Sequence, residues 1–196
     1  LFCGWKRLWC QCVVLHFRAL ANALLGCLDV ARGKMKTKKR RQKDLDKRTK
    51  ELGIESFVND IPLSEVPSVI KEIECSFGVK LPEDYAWFLL EYGSFCFLED
   101  VEYPGRNICI GSFLCEDMIE WLSVIDERFP TQFIPIADDG GGNLLGMSLR
   151  QDETHGQIYW HHHCVGAVDD TDAARFEVLD WIAPSWADFI MGLEIT

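Results

Sequence analysis

A glycine-rich hairpin is the sequence feature that most constrains the fold of this chain. Residues 133–149 read Phe-Ile-Pro-Ile-Ala-Asp-Asp-Gly-Gly-Gly-Asn-Leu-Leu-Gly-Met-Ser-Leu, which is two apolar segments separated by a turn sequence. The glycines and Asn143 supply the backbone conformations that a tight reversal needs, and the residues after them alternate with the period of a strand. Pro135 has no backbone N–H, so the first strand must be an edge strand or carry a bulge. Such a hairpin cannot bury its apolar face alone, so helices must cover it.

Amphipathic segments on both sides of the hairpin predict those helices. One opens at Ser64 and ends at Gly78, a second runs from Pro82 to Gly93, a third covers residues 116–128, and a last one begins at a capping box formed by Ser185 and Asp188. Further strands are predicted at residues 94–101, 107–110, 157–160 and 175–181. The order of helices, then strands, then a helix predicts a single α+β domain, with a mostly antiparallel sheet covered by N-terminal helices and a C-terminal helix.

Charge is divided unevenly along the chain. The net charge is -11, but residues 1–50 hold 14 Lys+Arg against 3 Asp+Glu, and residues 51–196 hold 6 against 28. The two parts therefore carry +11 and -22. A surface this acidic repels nucleic acid and attracts a basic protein. The alternative is that the charge only keeps the domain soluble.

The acids of the second part gather on predicted loops and strand ends, with aromatic residues nearby. If the fold brings them together, they form a negative surface that steers a basic protein, and the aromatic residues anchor it. In the alternative interpretation the acids are solvated surface and the aromatic residues are core. The predicted partner-binding residues are Glu99, Asp100, Glu102, Asp138, Asp139, Asp152, Glu153, Asp169, Asp170, Asp172, Tyr103 and Trp160.

The sequence predicts no catalytic residues, no metal site and no cofactor. It contains no nucleophile motif, and no pair of carboxylates is marked out among the many acids. Residues 161–164 read His-His-His-Cys, but adjacent side chains of a strand point to opposite faces, so only His161 and His163 are expected to converge. A metal-dependent hydrolase that uses this run is the remaining enzyme hypothesis. Residues 138–143 lack the alternating oxygen ligands and the closing Glu of a calcium loop, and no Lys, Ser or Thr follows the glycines as in a phosphate loop.

Residues 1–53 differ from the rest and are predicted to be a non-globular or spurious extension of a domain at 54–196. The apolar segment 1–28 is interrupted by charged and polar residues, so its apolar runs are too short for a membrane span. An uncleaved signal peptide is an alternative that the same interruptions argue against. Met35 resembles a true start, and residues 1–34 are interpreted as upstream translation or a fragment of extra sequence, without a function. Residues 35–50 are a basic run, either a solvated helix start or a tail for anionic surfaces. The nine cysteines form no framework of pairs, which indicates reduced thiols in a cytoplasmic protein.

Three segments of the chain, in this order, resemble the SUKH superfamily, the Smi/Knr/Syd-type domain. The resemblance covers about residues 57–196, and it departs from the family at Tyr92-Gly93-Ser94, where Asn-Gly-Gly is frequent. The matching residues are Ile70, Ile73, Glu74, Gly78, Leu81, Pro82, Tyr85, Phe88, Leu89, Tyr92 and Gly93; then 133–137, Asp139, Gly140, Gly142 and Asn143; then Ser185, Trp186, Phe189 and Ile190.

This resemblance implies an α+β domain without enzymatic activity. Many bacterial members are cytosolic immunity proteins that block a toxin, often a nuclease, delivered by a neighbouring cell. Eukaryotic members are scaffolds in cell-wall regulation, and the Syd branch contacts the protein-export channel. The predicted function is therefore a cytoplasmic immunity protein that binds a basic, nuclease-type toxin, with no nucleic-acid or membrane partner for the globular domain. A scaffold module of the Smi/Knr type is the alternative, and the oligomeric state stays open.

Overall fold

The computed structural model describes residues 34–56, 62–93, 95–106, 108–113 and 129–196. The chain divides into two compact units, residues 1–44 and 45–196. The predicted helix at 116–128 and the extension residues 1–33 lie outside the described residues. In the first unit, residues 34–44 are the exposed first part of a helix, α1, that spans residues 34–51. The basic run is thus helical, and Arg40 and Asp44 lie one turn apart with 4.0 Å between Nε and Oδ2.

The second unit begins at Leu45, so it includes the last turns of α1, which the sequence analysis assigned to the extension. Leu45, Thr49 and Leu52 recur at helical spacing and are buried. The Thr49 hydroxyl donates to the carbonyl of Leu45 at 2.8 Å. The Arg48 guanidinium donates to the carbonyl of Leu193, near the end of the chain. These contacts make the last turns of α1 part of the second unit.

After α1, the described elements of the second unit are four helices and eight strands. The helices are α2 (Val66–Phe77), α3 (Glu83–Tyr92), α4 (Asp172–Glu177) and α5 (Trp186–Gly192). The strands are β1 (Ile54–Ser56), β2 (Phe95–Tyr103), β3 (Ile108–Phe113), β4 (Phe133–Asp138), β5 (Leu144–Ser148), β6 (Ile158–His161), β7 (Asp180–Ala183) and β8 (Glu194–Ile195).

The strands form an antiparallel sheet in the order β1-β2-β3-β4-β5-β6-β7, and β8 pairs with β2 as well. The predicted α+β class with a mostly antiparallel sheet is confirmed. The predicted hairpin is β4 and β5, and its register shifts between Pro135 and Ala137. The strand therefore carries a bulge next to Pro135, which is one of the two arrangements expected from this proline.

Helices α2, α3 and α5 cover one face of the sheet, as the amphipathic patterns predicted. The buried residues of α2 recur at helical spacing, and Gly78 ends the helix with φ 65°. In α5, Ser185 Oγ accepts a hydrogen bond from the N–H of Asp188, which confirms the capping box. Ser64 was expected to cap α2, and this was wrong, because α2 begins at Val66 and its N-cap residue, Glu65, makes no side-chain capping bond.

The strand predicted at residues 175–181 is only half correct. Residues 172–177 form α4, and β7 follows at Asp180. Thr171 caps α4, since its hydroxyl accepts a hydrogen bond from Ala174 N at 3.2 Å. The order of apolar and polar residues in this segment fits the period of a helix as well as that of a strand. The N-cap at Thr171 favours the helix for the residues up to 177.

The other face of the sheet carries a second, smaller core of aromatic residues. Every residue of β5 is buried, so both faces of this strand are covered. Alternate residues of β5 and β6 belong to different cores, as the pleat requires. The second core consists of Phe129, Phe133, Leu144 and Tyr159, with Phe176 and Leu179 packed against it.

Candidate functional site

The register of the sheet separates the predicted partner-binding acids into three groups. Strand β3 joins β4 through Ser112 opposite Asp138, at the end of β4. Glu102 lies opposite Cys109, three residues further along β3. At about 3.3 Å per residue this places Glu102 roughly 10 Å beyond Asp138 along the strands, and two strands away. The structure therefore does not bring all predicted site residues together.

The first group lies where β2 meets β8. Glu102 is directly opposite Glu194, so two like charges face each other across the strands. Asp100 is exposed, and its carbonyl accepts hydrogen bonds from the backbone N and the hydroxyl of Thr196 at 3.0 and 3.1 Å. Glu99 belongs to the same strand. Tyr103 is half-buried, because its ring stacks on that of Phe189 with 5.8 Å between centroids.

The second group is the turn between β4 and β5. Asp138 Oδ1 accepts a hydrogen bond from Gly140 N at 2.7 Å. Asp139 Oδ1 accepts from Gly141 N at 2.8 Å and from Asn143 N at 3.0 Å. Gly140 and Gly142 have φ of 70° and 93°, values that favour glycine. These two carboxylates satisfy the backbone N–H groups of the reversal, so they have a structural role whatever else they bind.

The third group is built around Arg150, just after β5. Its guanidinium pairs with Asp152 through Nε at 3.0 Å and with Asp172 through Nη1 at 3.1 Å. Asp172 also accepts a hydrogen bond from the backbone N of Thr131. The guanidinium carbon lies 5.5 Å from the ring centroid of Phe176. Arg150 thus ties the β5–β6 loop to the start of α4 over the second core.

We call the ion pairs of Arg150 with Asp152 and Asp172 the clamp of Arg150. Three more predicted acids lie next to its residues in the chain. Glu153 and Asp169 are exposed, and the side chain of Asp170 is fully exposed, with its Oδ1 3.9 Å from Arg175 Nη2. The structure therefore brings five of the predicted acids to one end of α4, where two arginines accompany them. The five are Asp152, Glu153, Asp169, Asp170 and Asp172.

Local hydrogen bonds lower the pKa of two of these carboxylates. The hydroxyl and backbone N–H of Thr154 lower the pKa of Asp152, and Arg150 adds to the effect. The hydroxyl and backbone N–H of Thr171 lower the pKa of Asp169 in the same way. Both carboxylates therefore stay ionised to lower pH than an ordinary aspartate does.

The loop between β6 and α4 contributes apolar residues that the sequence analysis did not single out. Nine of the ten residues from 162 to 171 are exposed, including Val165 at 44% and Val168 at 90%. The segment Val165-Gly-Ala-Val168 is an apolar stretch between two polar ones, and that pattern in a predicted loop was the available signal. We call residues 152–153 and 162–172 the loop face. It begins beside the β4–β5 turn, where the backbone N of His163 donates to Asn143, and it ends at the ion pair of Arg150 with Asp172.

Trp160 does not lie on any of these surfaces. It is 7% exposed, pairs with Leu145 of β5, and belongs to the core beneath the helices. The alternative given for the aromatic residues, that they are core, describes Trp160 in this structure.

The histidine run is arranged differently from the expectation. His161 is the last residue of β6 and is 4% exposed, with its ring 5.6 Å from that of Phe129. The chain then leaves the strand, so His162, His163 and Cys164 come together on the loop face. The prediction that only His161 and His163 converge was wrong, because it assumed that the strand continues.

The helix-covered antiparallel sheet and its acid-rich turns define a small α+β domain of the SUKH type. The chain belongs to the SMI1 / KNR4 family (SUKH-1), since the family model matches residues 67–192. A relative in Bacillus subtilis (strain 168), the SPbeta prophage-derived uncharacterized protein YokK, is 28% identical over 150 residues, which is 63% of this chain and 72% of the relative. The resemblance drawn from the sequence motifs is confirmed.

The family narrows the function without fixing it. Its members are commonly immunity proteins in toxin systems, they typically bind toxin partners, and they are generally non-catalytic. Within the described part of the chain, no helix is both long enough and apolar enough to cross a bilayer.

Proposed function

We propose that this protein is a cytoplasmic immunity protein that binds and neutralises a cognate basic toxin, of the nuclease type. The observation that carries the proposal is the charge of a SUKH-family domain: residues 51–196 hold 28 acids against 6 Lys+Arg. A nuclease that grips phosphates presents cations at its active site. An acidic protein covers such a site and is drawn to it by long-range attraction.

The loop face is the proposed docking surface. It combines five carboxylates around the start of α4 with the exposed apolar side chains of Val165 and Val168, which lie on the loop that leads to α4. Protein interfaces take most of their binding energy from apolar anchors that exclude water, while rim charges set the association rate and the choice of partner. Loops on a rigid sheet are also the parts of a fold that vary most easily, which suits recognition of one particular toxin.

The carboxylates of the loop face divide into two roles. Asp152 and Asp172 hold Arg150, so replacing them disturbs the loop itself. Glu153 and Asp170 are exposed and are the residues to reverse in a binding test. Glu65, just before α2, and Glu72, within it, are also exposed and provide a control with the same change in net charge.

The proposal is tested by expressing the protein with the toxin-like product of the adjacent gene in its source genome. The wild-type protein is expected to co-purify with the toxin and to restore growth of poisoned cells. Glu153→Lys/Asp170→Lys is expected to lose most of this protection, and Glu65→Lys/Glu72→Lys is expected to keep it. If both double variants protect equally well, the loop face is not the docking surface. If the wild-type protein neither binds the toxin nor protects the cells, the proposed immunity function is wrong.

A scaffold or regulatory module that binds several host proteins is the second candidate. The acids at β2 and β8 favour it, because Asp100, Glu102 and Glu194 form a separate negative edge of the sheet. If the protein is a scaffold, we expect no toxin gene adjacent to its own gene and no restored growth of poisoned cells. The scaffold hypothesis also predicts a partner whose binding is weakened by Glu102→Lys and is unaffected by Asp170→Lys.

A further inference from the structure

Three side chains with nitrogen and sulfur ligand atoms meet at the start of the β6–α4 loop. His162, His163 and Cys164 are all exposed, and their ligand atoms lie within 4.8 Å of one another. The rings of the two histidines stack with 5.1 Å between centroids. His162 Nδ1 also lies 3.2 Å from the backbone N of Cys164, so a tight turn holds the three residues together.

The glycine-rich hairpin orients one of these histidines. His163 Nδ1 lies 2.7 Å from Asn143 Oδ1, and the same oxygen accepts the backbone N–H of His163 at 2.9 Å. Asn143 Nδ2 in turn donates to Asp139 Oδ2. Because an amide oxygen only accepts, the proton of a neutral His163 is on Nδ1 and the lone pair is on Nε2. That nitrogen lies 3.0 Å from Cys164 Sγ.

This arrangement has the parts of a metal site with three protein ligands. Zinc is held by imidazole nitrogen at about 2.0–2.1 Å and by thiolate sulfur at about 2.3 Å, so tetrahedral ligand atoms lie roughly 3.5 Å apart. The ligand atoms here approach that spacing before any ion is bound. A second residue that holds the far nitrogen of a ligating histidine is a regular feature of zinc sites, and Asn143 takes that place.

We propose that His162, His163 and Cys164 bind a late first-row divalent cation, Zn²⁺ by preference, on the loop face. Two imidazoles and a thiolate are ligands that favour zinc over magnesium or calcium. On coordination the Cys164 thiol gives its proton to solvent, and His162 Nδ1 exchanges its hydrogen bond with the backbone N of Cys164 for the metal. Water takes the fourth position. Asn143 and Asp139 are positioning residues, since they act through the ring of His163.

Cobalt spectroscopy on the reduced, metal-free, full-length protein tests the site, because Co²⁺ replaces Zn²⁺ and reports its own ligands. The wild-type protein is expected to give a sulfur-to-cobalt charge-transfer band together with the d–d bands of a tetrahedral ion, and Zn²⁺ is expected to remove both. Cys164→Ser is expected to abolish the charge-transfer band and one equivalent of bound metal. His163→Ala is expected to weaken binding at least tenfold.

Exposed residues of the same types elsewhere on the domain serve as controls. Cys75→Ser, Cys109→Ser and His155→Ala are expected to leave both the bands and the affinity unchanged. Asn143→Ala is expected to weaken Zn²⁺ by about 10–100-fold, as loss of a second residue behind a ligand does. The proposal is overturned if the wild-type protein gives no thiolate band, or if Cys164→Ser retains the band and the full metal content. Thermal unfolding of each variant shows whether its fold is intact.

Discussion

The two faces of the sheet are built in different ways. Under the helices, Trp186 contacts the rings of Tyr85, Phe88 and Phe113 with centroids 4.9, 4.9 and 5.4 Å away. Under α4, the second core is small, and the polar clamp of Arg150 lies over it. The first face therefore provides most of the packing energy, while the second supports the exposed loops that carry the candidate sites.

Truncation of one aromatic residue on each face tests this difference most strongly. Trp186 is fully buried, so Trp186→Ala is expected to lower the free energy of unfolding by about 3–5 kcal/mol. Phe176 is only partly buried, so Phe176→Ala is expected to cost about 1–2 kcal/mol. Urea unfolding followed by circular dichroism measures both values. Equal costs would contradict the assignment of stability to the helix-covered face.

Gly146 shows how tightly the second face is packed despite its size. A Cβ at this position would lie 2.5 Å from the ring of Phe129, which stacks on Phe133 and therefore has little room to move. Gly146→Ala is expected to cost about 1–3 kcal/mol by overpacking. Gly166→Ala is the control, since nothing lies within 4 Å of that site, and it is expected to change stability by less than about 0.5 kcal/mol.

A double-mutant cycle sharpens the test of this contact. If the ring of Phe129 causes the clash, Gly146→Ala combined with Phe129→Leu costs less than the sum of the two single changes. Strict additivity would mean that the clash with Phe129 is relieved elsewhere and that this face is loosely packed.

The contact between α1 and α3 gives the helix-covered side a pH dependence. The Tyr92 hydroxyl donates to Asp46 Oδ1, and this bond is the main cause that lowers the pKa of Asp46, followed by Lys50. A carboxyl with a lowered pKa stabilises the fold fully above its unfolded value, about 3.9, and loses that contribution as pH falls through the folded value. Tyr92→Phe is expected to cost about 0.5–1 kcal/mol at neutral pH, because both groups are partly exposed.

At alkaline pH the tyrosine of this pair titrates instead of the aspartate, and the pair again loses its contribution to stability. Burial, and then the hydrogen bond to Asp46, raises the pKa of Tyr92. A raised pKa gives stability that is present below the unfolded value, about 10, and is lost as pH rises through the folded value. The difference in stability between wild type and Tyr92→Phe should therefore shrink at both ends of the pH range. A difference that stays constant from acid to alkaline pH would show that the hydroxyl does not bond to Asp46.

The clamp on the second face is expected to give the smallest effect. Arg150→Met removes two ion pairs that are about one-third exposed, so it is expected to cost no more than about 1 kcal/mol. Thr154 is the main cause of the lowered pKa of Asp152, ahead of Arg150. Thr154→Val is therefore expected to raise that pKa more than Arg150→Met does, in a carboxyl NMR titration. The reverse order would make the arginine, and not the turn, the group that fixes this carboxylate.

The local elements were predictable from the sequence, and their placement relative to one another was not. The capping box at Ser185, the glycine that ends α2 and the bulge at Pro135 are each dictated by a few neighbouring residues. The offset between Glu102 and Asp138 depends on the registers that pair β2 with β3 and β3 with β4, which no pattern within a single strand encodes.

The histidine run shows the same limit in the candidate sites. The sequence places the three histidines and the cysteine in a row, but the end of β6 decides which of them turn inward. His161 stays in the strand and is buried, and the next three residues follow the loop. Strand ends are the least certain part of a sequence-based prediction. Because β6 ends at His161, the side chains that converge are those of His162, His163 and Cys164, and His161 is not among them.

The central claim is that acids on the loop face guide this domain to a basic toxin, and association kinetics test it most directly. The association rate constant between the purified protein and the toxin of the adjacent gene would be measured at increasing salt. We predict a fall of about tenfold or more between low and high ionic strength, and slower association of Glu153→Lys/Asp170→Lys than of Glu65→Lys/Glu72→Lys. A rate constant that is independent of salt and equal for the two double variants would contradict the account.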